Sequence, residues 1–415
     1  MKKLKIKIAL IYNFILPALL INSVGVVTLQ LITSYDVSKQ AVGWLGAFKD
    51  ISILVGSFVL ASFIPKMGYK KSLLIGVSLE IIACFLMALA PSFMMARIFF
   101  VLVGVGFALI KVSIYSSVGL FVENKSEHAS FISILEGFFM MGLFGVFLVF
   151  GYFADKIYWN DVYWLLLGLS VVGLILAAVT NIGEGKLQCE VQGNSIKDSF
   201  VGMLNLLLKV AVWFFIGLAF FYVFVEQGVT TWLPTYNNDV LHISKNLSDY
   251  VTALLPIGIV VGRLVGGVLM RYINWHKVLI FCTIMCVGTL LLLIFLSSLV
   301  MAKGQHVQSW TQFPLAVYLI FFIGLFFGPI YPTLCSSILS SLPLKLHSGM
   351  VAIIMVFSAL GGAIGARIMA SFFGGFGGLT AFEVPIVPLI ILLIFIWPYY
   401  FKLKRVSETN DPNSG

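Results

Sequence analysis

Charge is what this chain has least of. Asp, Glu, Lys and Arg make up 10% of its 415 residues, whereas apolar residues make up 60% and the mean hydropathy is +1.06. A soluble domain carries about 25% charged residues. Soluble globular, disordered and disulfide-stapled classes are therefore excluded, and no stretch is left for a separate soluble catalytic domain. Cysteine is also scarce: Cys84, Cys189, Cys282, Cys286 and Cys335. Four of the five lie in apolar stretches, and no paired spacing suits zinc, so neither a metal site nor a disulfide framework is expected. The five histidines form no cluster with Asp or Cys that would suit an enzyme. No Gly-x-x-x-x-Gly-Lys-Ser/Thr stretch is present, which excludes ATP-driven transport within this chain. No cofactor is expected.

What the chain does have is a succession of apolar runs. They fall at 8–32, 41–64, 72–91, 94–121, 129–153, 162–181, 207–233, 250–270, 278–299, 314–338, 349–372 and 384–401. Each is near the ~20 residues a membrane helix needs, and all are too long and uniform for barrel strands. The expected fold is an all-α membrane protein of twelve transmembrane helices in two six-helix bundles. Residues 1–181 form the N-terminal bundle, 182–206 a flexible cytoplasmic linker, 207–401 the C-terminal bundle and 402–415 a cytoplasmic tail.

The net charge of +9 is explained by placement. Lys2, Lys3, Lys5 and Lys7 precede the first run, and Lys66, Lys70 and Lys71 follow the second. Lys125, Lys186, Lys197, Arg271, Lys277 and Lys345 lie in later even-numbered loops, and Lys402, Lys404 and Arg405 in the tail. The alternate loops hold only Lys39, Lys156, Lys245 and Lys303. By the positive-inside rule both termini are expected to be cytoplasmic, in a bacterial-type inner membrane, and no nucleic-acid partner is needed. The basic N-terminus followed by an apolar run reads as a retained first helix rather than a signal peptide.

The two halves repeat weakly. The fourth span, Gly104 to Ser117, aligns with the tenth, Gly324 to Ser337, at an offset of 220 that pairs Lys111 with Tyr331. The fifth and eleventh spans each follow a histidine, His128 and His347. Common order along the chain makes a duplicated six-helix unit the natural reading.

The loop Pro65-Lys66-Met67-Gly68-Tyr69-Lys70-Lys71 resembles the short basic loop of the major facilitator superfamily, with Ala61 and Pro65 departing from its pattern. Gly262-Arg263 with Gly266-Gly267 resembles that superfamily's eighth helix. Glu226 through Tyr236, Gly328-Pro329-Ile330-Tyr331-Pro332-Thr333 and Gly361 through Gly365 look like the branch containing fucose, galactose and glucose permeases. The resemblance implies alternating access, in which two bundles rock around a midplane site. It also implies a gate formed by Gly68, Lys70, Lys71 and Arg263. The Gly-x-x-x-Gly-Pro pattern of drug antiporters is missing from the fifth span.

A charge in hydrocarbon is costly unless water or a partner rescues it, so each intramembrane charge is a candidate site. Glu136 in the fifth span and Lys111 in the fourth lie at comparable depth, and a pair between them is allowed. The pair would serve as a proton or substrate site, or as a fixed brace. Glu226, with Gln227 beside it and Tyr222 and Thr230 one turn away, is expected to line the cavity or its outer gate, or to bond a neighbouring helix. Its repeat counterpart is Ser23, beside Asn22. Asp50, adjacent to Lys49, is the second candidate for coupling; neighbours on a helix point ~100° apart, so the two are expected to face different partners. Glu80 is expected to have a packing or lipid-boundary role. Trp44, Trp232 and Trp310 sit at interfacial depth, and Trp232 is a candidate to stack on a sugar ring.

The reading is a secondary transporter, expected as a monomer in the lipid bilayer, moving a small hydrophilic solute with a proton. Substrate candidates are Asn22, Ser23, Lys111, Tyr222, Glu226, Gln227, Trp232 and Tyr331; proton-coupling candidates are Glu136 and Asp50. Lys111 suits an anionic or zwitterionic solute as well as a sugar, and export remains open. A non-transporting sensor would need a signalling domain larger than the tail after Phe401.

Overall fold

The computed structural model describes residues 2–35, 37, 45–122, 124–154, 159–183, 196–243, 245–303, 307 and 309–409. Among these, secondary structure is helical apart from one isolated bridge between Ile243 and Val307. Lipid offers no hydrogen bonds, so a spanning segment must satisfy its backbone internally, and apolar runs of this length do so as helices.

In chain order the helices are α1 (Lys2–Asn22), α2 (Val24–Tyr35), α3 (Leu45–Leu60), α4 (Ile64–Met67), α5 (Tyr69–Leu89), α6 (Phe93–Phe121), α7 (Lys125–Ala154), α8 (Val162–Val179) and α9 (Ile196–Leu206). They continue as α10 (Val210–Asp239), α11 (Lys245–Thr252), α12 (Leu254–Leu269), α13 (Trp275–Lys303), α14 (Leu315–Phe327) and α15 (Ile330–Leu339). The last are α16 (His347–Phe376), α17 (Gly378–Glu383) and α18 (Ile386–Thr409). Eleven described stretches are long and apolar enough to cross a membrane. The 16 described residues of α3 belong to the second span and complete the twelve. Large apolar side chains remain exposed on the helices, among them Val179, Leu315, Phe376 and Ile394. In a membrane these face lipid.

Several spans are interrupted among the described residues, the eighth at Ala253 between α11 and α12 among them. The first breaks at Ser23, between α1 and α2, where the Ser23 hydroxyl donates to Leu20 O at 2.7 Å. The tenth breaks at Gly328-Pro329, between α14 and α15, because proline cannot donate to the preceding turn. The 182–206 connection is also more than a linker: it contains α9, whose Met203 packs on Gly349. Cys189, Trp44, Lys39 and Lys156 lie outside the described residues.

The helices group into two compact units. Unit 1 holds 1–123, 138–206 and 343–356; unit 2 holds 124–137, 207–342 and 357–415. In unit 1, α5 and α6 cross where Gly76 meets Gly106: a Cβ on either would come within 2.9 Å of the other's carbonyl oxygen. Glu80, one turn on, is fully buried beside Gly106, with no hydrogen bond to either carboxyl oxygen, so it occupies the helix packing and not the lipid boundary. In unit 2, α12 and α14 approach along a glycine seam. A Cβ on Gly258, Gly262 or Gly324 would lie 2.1 Å from a carbonyl oxygen of the facing helix. Such close approach is how membrane helices gain packing without a hydrophobic driving force.

The four described cysteines are buried free thiols.

Candidate functional site

The main polar cluster of unit 2 centres on Arg263. α12 carries it inward at the glycine seam, where it is 2% exposed. Its Nη1 donates to Glu136 Oε2 at 2.8 Å and to the Glu136 backbone carbonyl at 3.1 Å; its Nη2 donates to Glu226 Oε1 at 3.3 Å. Glu136 comes from the first half of α7 and Glu226 from the middle of α10, both buried. Ser133, one turn before Glu136, donates to Arg263 O at 2.5 Å. One guanidinium thus serves two carboxylates and ties three helices.

Arg263, a gate cation by resemblance, is the partner of Glu136 and Glu226. Glu136 and Lys111, a pair the sequence allows, fall in different units. Each of the three stands out in the sequence as an intramembrane charge, but nothing in the chain order pairs Arg263 with Glu136 and Glu226.

Tyr222 and Tyr331 come together in the same unit. Their rings stack with centroids 5.9 Å apart and planes at 23°, and Tyr222 donates to Phe327 O at 3.0 Å. Ser358 donates to the Tyr331 hydroxyl at 3.4 Å. Gln227 is exposed, its stem lying against Gly362. Trp232 is half-buried; one face of its ring stacks on Phe373 at 5.0 Å, and its indole N–H donates to Ala366 O at 3.0 Å.

In unit 1, Lys111 is buried with its ammonium 5.2–5.9 Å from the ring centres of Phe14, Phe107, Tyr115 and Phe139. Such faces attract a cation. Asn22 donates to Ala18 O at 2.7 Å, so it and Ser23 each bond to the preceding turn. Lys49 and Asp50, expected to take separate partners, meet each other at 3.2 Å, and the Asp50 side chain is 66% exposed. Asp50 is therefore not a desolvated carboxylate in this structure.

The basic loop keeps its glycine for a backbone reason. Gly68 has φ +91° and links α4 to α5, a conformation costly for any residue with a Cβ. Lys70 caps the last turn of α8 by donating to Ala178 O at 2.6 Å, Tyr69 donates to Leu344 O at 2.9 Å, and Lys71 is exposed.

The two histidines of the repeat make matching contacts. His128 Nδ1 lies 2.6 Å from Ser336 Oγ in unit 2. In unit 1, His347 packs on Gly119, where a Cβ would meet the ring at 2.7 Å. Both histidines start a span and dock on the end of the other half's fourth or tenth helix.

The sequence profile of the Major Facilitator Superfamily matches residues 9–366. The chain belongs to the major facilitator superfamily. This is a family of multi-pass membrane transporters, not of enzymes. The chain is 22% identical to bypass of stop codon protein 6 of Saccharomyces cerevisiae over 430 residues, covering 97% of this chain and 83% of that one. It is 24% identical to a glucose/galactose transporter of Brucella abortus over 360 residues, covering 83% and 80%. Among solved superfamily structures, FucP in its outward conformation aligns with TM-score 0.75 at 16% identity, covering 94% of this chain and 98% of that one. The proton:xylose symporter XylE, bound to 6-bromo-6-deoxy-D-glucose, aligns with TM-score 0.72 at 15% identity, covering 96% and 95%.

Proposed function

We propose that this transporter moves a small hydrophilic solute, a sugar or related metabolite, together with a proton by alternating access. It works as a single chain in an inner membrane, with both termini cytoplasmic. The observation that carries the reading is Arg263 shared between Glu136 and Glu226. Protonating Glu136 removes its charge from Nη1, keeps the backbone-carbonyl bond, and leaves Glu226 as the guanidinium's ion-pair partner. A change in proton occupancy at one helix thereby alters the tie between the two others, which is the differential interaction a coupled conformational change requires. The names of the relatives, a glucose/galactose transporter and a proton:xylose symporter, support a sugar and a proton. In unit 2 the candidate solute contacts are Tyr222, Gln227 and Tyr331; in unit 1 they are Asn22, Ser23 and Lys111. Asp50 ranks below Glu136 as the proton carrier because it is exposed and paired with Lys49.

One observation favours a second solute class. Lys111 holds a buried ammonium among four aromatic rings, which would suit an anionic or zwitterionic metabolite.

The test is a thermal-shift screen of the purified chain against L-fucose, D-galactose, D-glucose, D-xylose, organic acids and amino acids, since binding raises stability by mass action. Proton uptake driven by each hit is then followed in proteoliposomes. A hit among the sugars with solute-driven proton uptake is the expected result; hits confined to organic acids or amino acids move the reading to the second class. Uptake of any hit that leaves internal pH unchanged removes the proton.

A further inference from the structure

Two cavities of unit 2 meet at Ile273, and together they have the shape and chemistry of an amphiphile. The first, about 550 Å3, is an apolar crevice lined by Val265, Gly266, Leu269, Phe281 and Cys282, and its one charged lining residue is Lys277. Phe281 stands edge-on to Phe326, 6.1 Å away, and forms a wall. The second, about 390 Å3, is polar and basic, lined among others by Lys125, Arg271, His276 and Asn274.

The basic hollow lies where two long helices begin, α7 at Lys125 and α13 at Trp275. Helix N-termini carry unspent N–H groups and favour anions. Arg271 spends its Nε on Ser130 Oγ at 3.1 Å and is otherwise exposed. Among the described residues none of Lys125, Arg271 and Lys277 is in an ion pair. The acid on the same turn is Glu127, two residues after Lys125. Tyr272 is 83% exposed, and Trp275 and Tyr400 pack 5.9 Å apart at the same end of the bundle. Such aromatics mark the headgroup level of a bilayer.

A free phosphate would use the basic hollow and leave the crevice unexplained. A neutral lipid would fill the crevice and leave the cations unexplained. The geometry points to a site for an anionic phospholipid, with an acyl chain in the crevice between α12 and α13 and the phosphate at its mouth between Lys277 and Arg271. Basic pockets between membrane helices recognise anionic headgroups in this way.

The test uses the full-length, delipidated chain in detergent. Melting is followed with dioleoyl phosphatidylglycerol, with dioleoyl phosphatidylcholine at equal concentration, and with inorganic phosphate. Phosphatidylglycerol is expected to raise the melting temperature more than phosphatidylcholine, and phosphate to leave it unchanged. Arg271→Gln with Lys277→Gln should remove at least about half of the difference between the lipids. Leu269→Trp, which puts an indole into the crevice, should abolish it. Melts without lipid show that each variant is folded. Equal shifts from both lipids, an undiminished difference in the double variant or in Leu269→Trp, or a shift reproduced by inorganic phosphate would each overturn the assignment.

Discussion

Arg263 holds Glu136 twice with the same nitrogen, at 2.8 Å through the carboxylate and at 3.1 Å through the backbone carbonyl. The second bond does not depend on the side chain. Glu136→Gln therefore keeps the α7–α12 tie and the acceptor oxygen while removing titration. It is expected to abolish solute-driven proton uptake in proteoliposomes and to leave counterflow exchange at least partly intact. Concentrative, pH-dependent uptake at the normal rate would make Glu136 a structural partner only, with Glu226 next in line.

Removing the cation is a different perturbation. Arg263→Met takes the guanidinium from both carboxylates at once, and breaking buried pairs costs about 3–5 kcal/mol. Expression and melting temperature should fall sharply. Adding Glu136→Gln and Glu226→Gln should recover much of the stability without restoring proton coupling. A triple variant no more stable than Arg263→Met would mean that packing of the arginine stem, not its charge, is what the fold needs.

The outline of the fold was legible because each span announces itself by local apolar content, a property of about 20 consecutive residues. The repeat was legible because the fourth and tenth spans align at an offset of 220 and the histidines that follow them at 219. The cluster was not. Arg263 lies 127 residues from Glu136 and 37 from Glu226, and no local pattern encodes which buried charges meet. Lys49 and Asp50 misled for the opposite reason: the angle between neighbours on a helix separates their Cα–Cβ bonds, but a flexible lysine stem reaches round to its neighbour.

Trp232 has protein partners for its N–H and for one face of its ring. With its N–H on Ala366 and its ring on Phe373, Trp232→Phe should lose about 0.5–1.5 kcal/mol of stability, the worth of one hydrogen bond. The binding isotherm of a confirmed solute should not change. A weakened isotherm at unchanged melting temperature would return Trp232 to the site.

The orientation proposed from the lysines is tested by reporter fusions. Fusions at Glu190 and after Lys404 should read as cytoplasmic, and one near Asn238 as external. An external reading at Glu190 would sink the proposed two-bundle topology.

The glycine seam separates two kinds of glycine on neighbouring helices. Gly262→Ala drives a methyl group against Leu325 O, 2.1 Å away, and should cost more than the about 1–3 kcal/mol usual for overpacking. Gly288→Ala on α13 meets nothing within 4 Å and should be neutral, or stabilising by up to about 1 kcal/mol through helix propensity. Melting temperatures of the two variants compared in the same detergent decide this.

At the level of the gene, that seam is a place without small steps. Every non-silent single-base change in a glycine codon inserts a side chain or a stop. At Gly258, Gly262 and Gly324 each inserted side chain begins with a Cβ aimed at the facing helix's backbone, which has no rotamer to yield. Mutational drift through these codons has no mild intermediate, so repacking of α12 against α14 calls for changes on both helices at once.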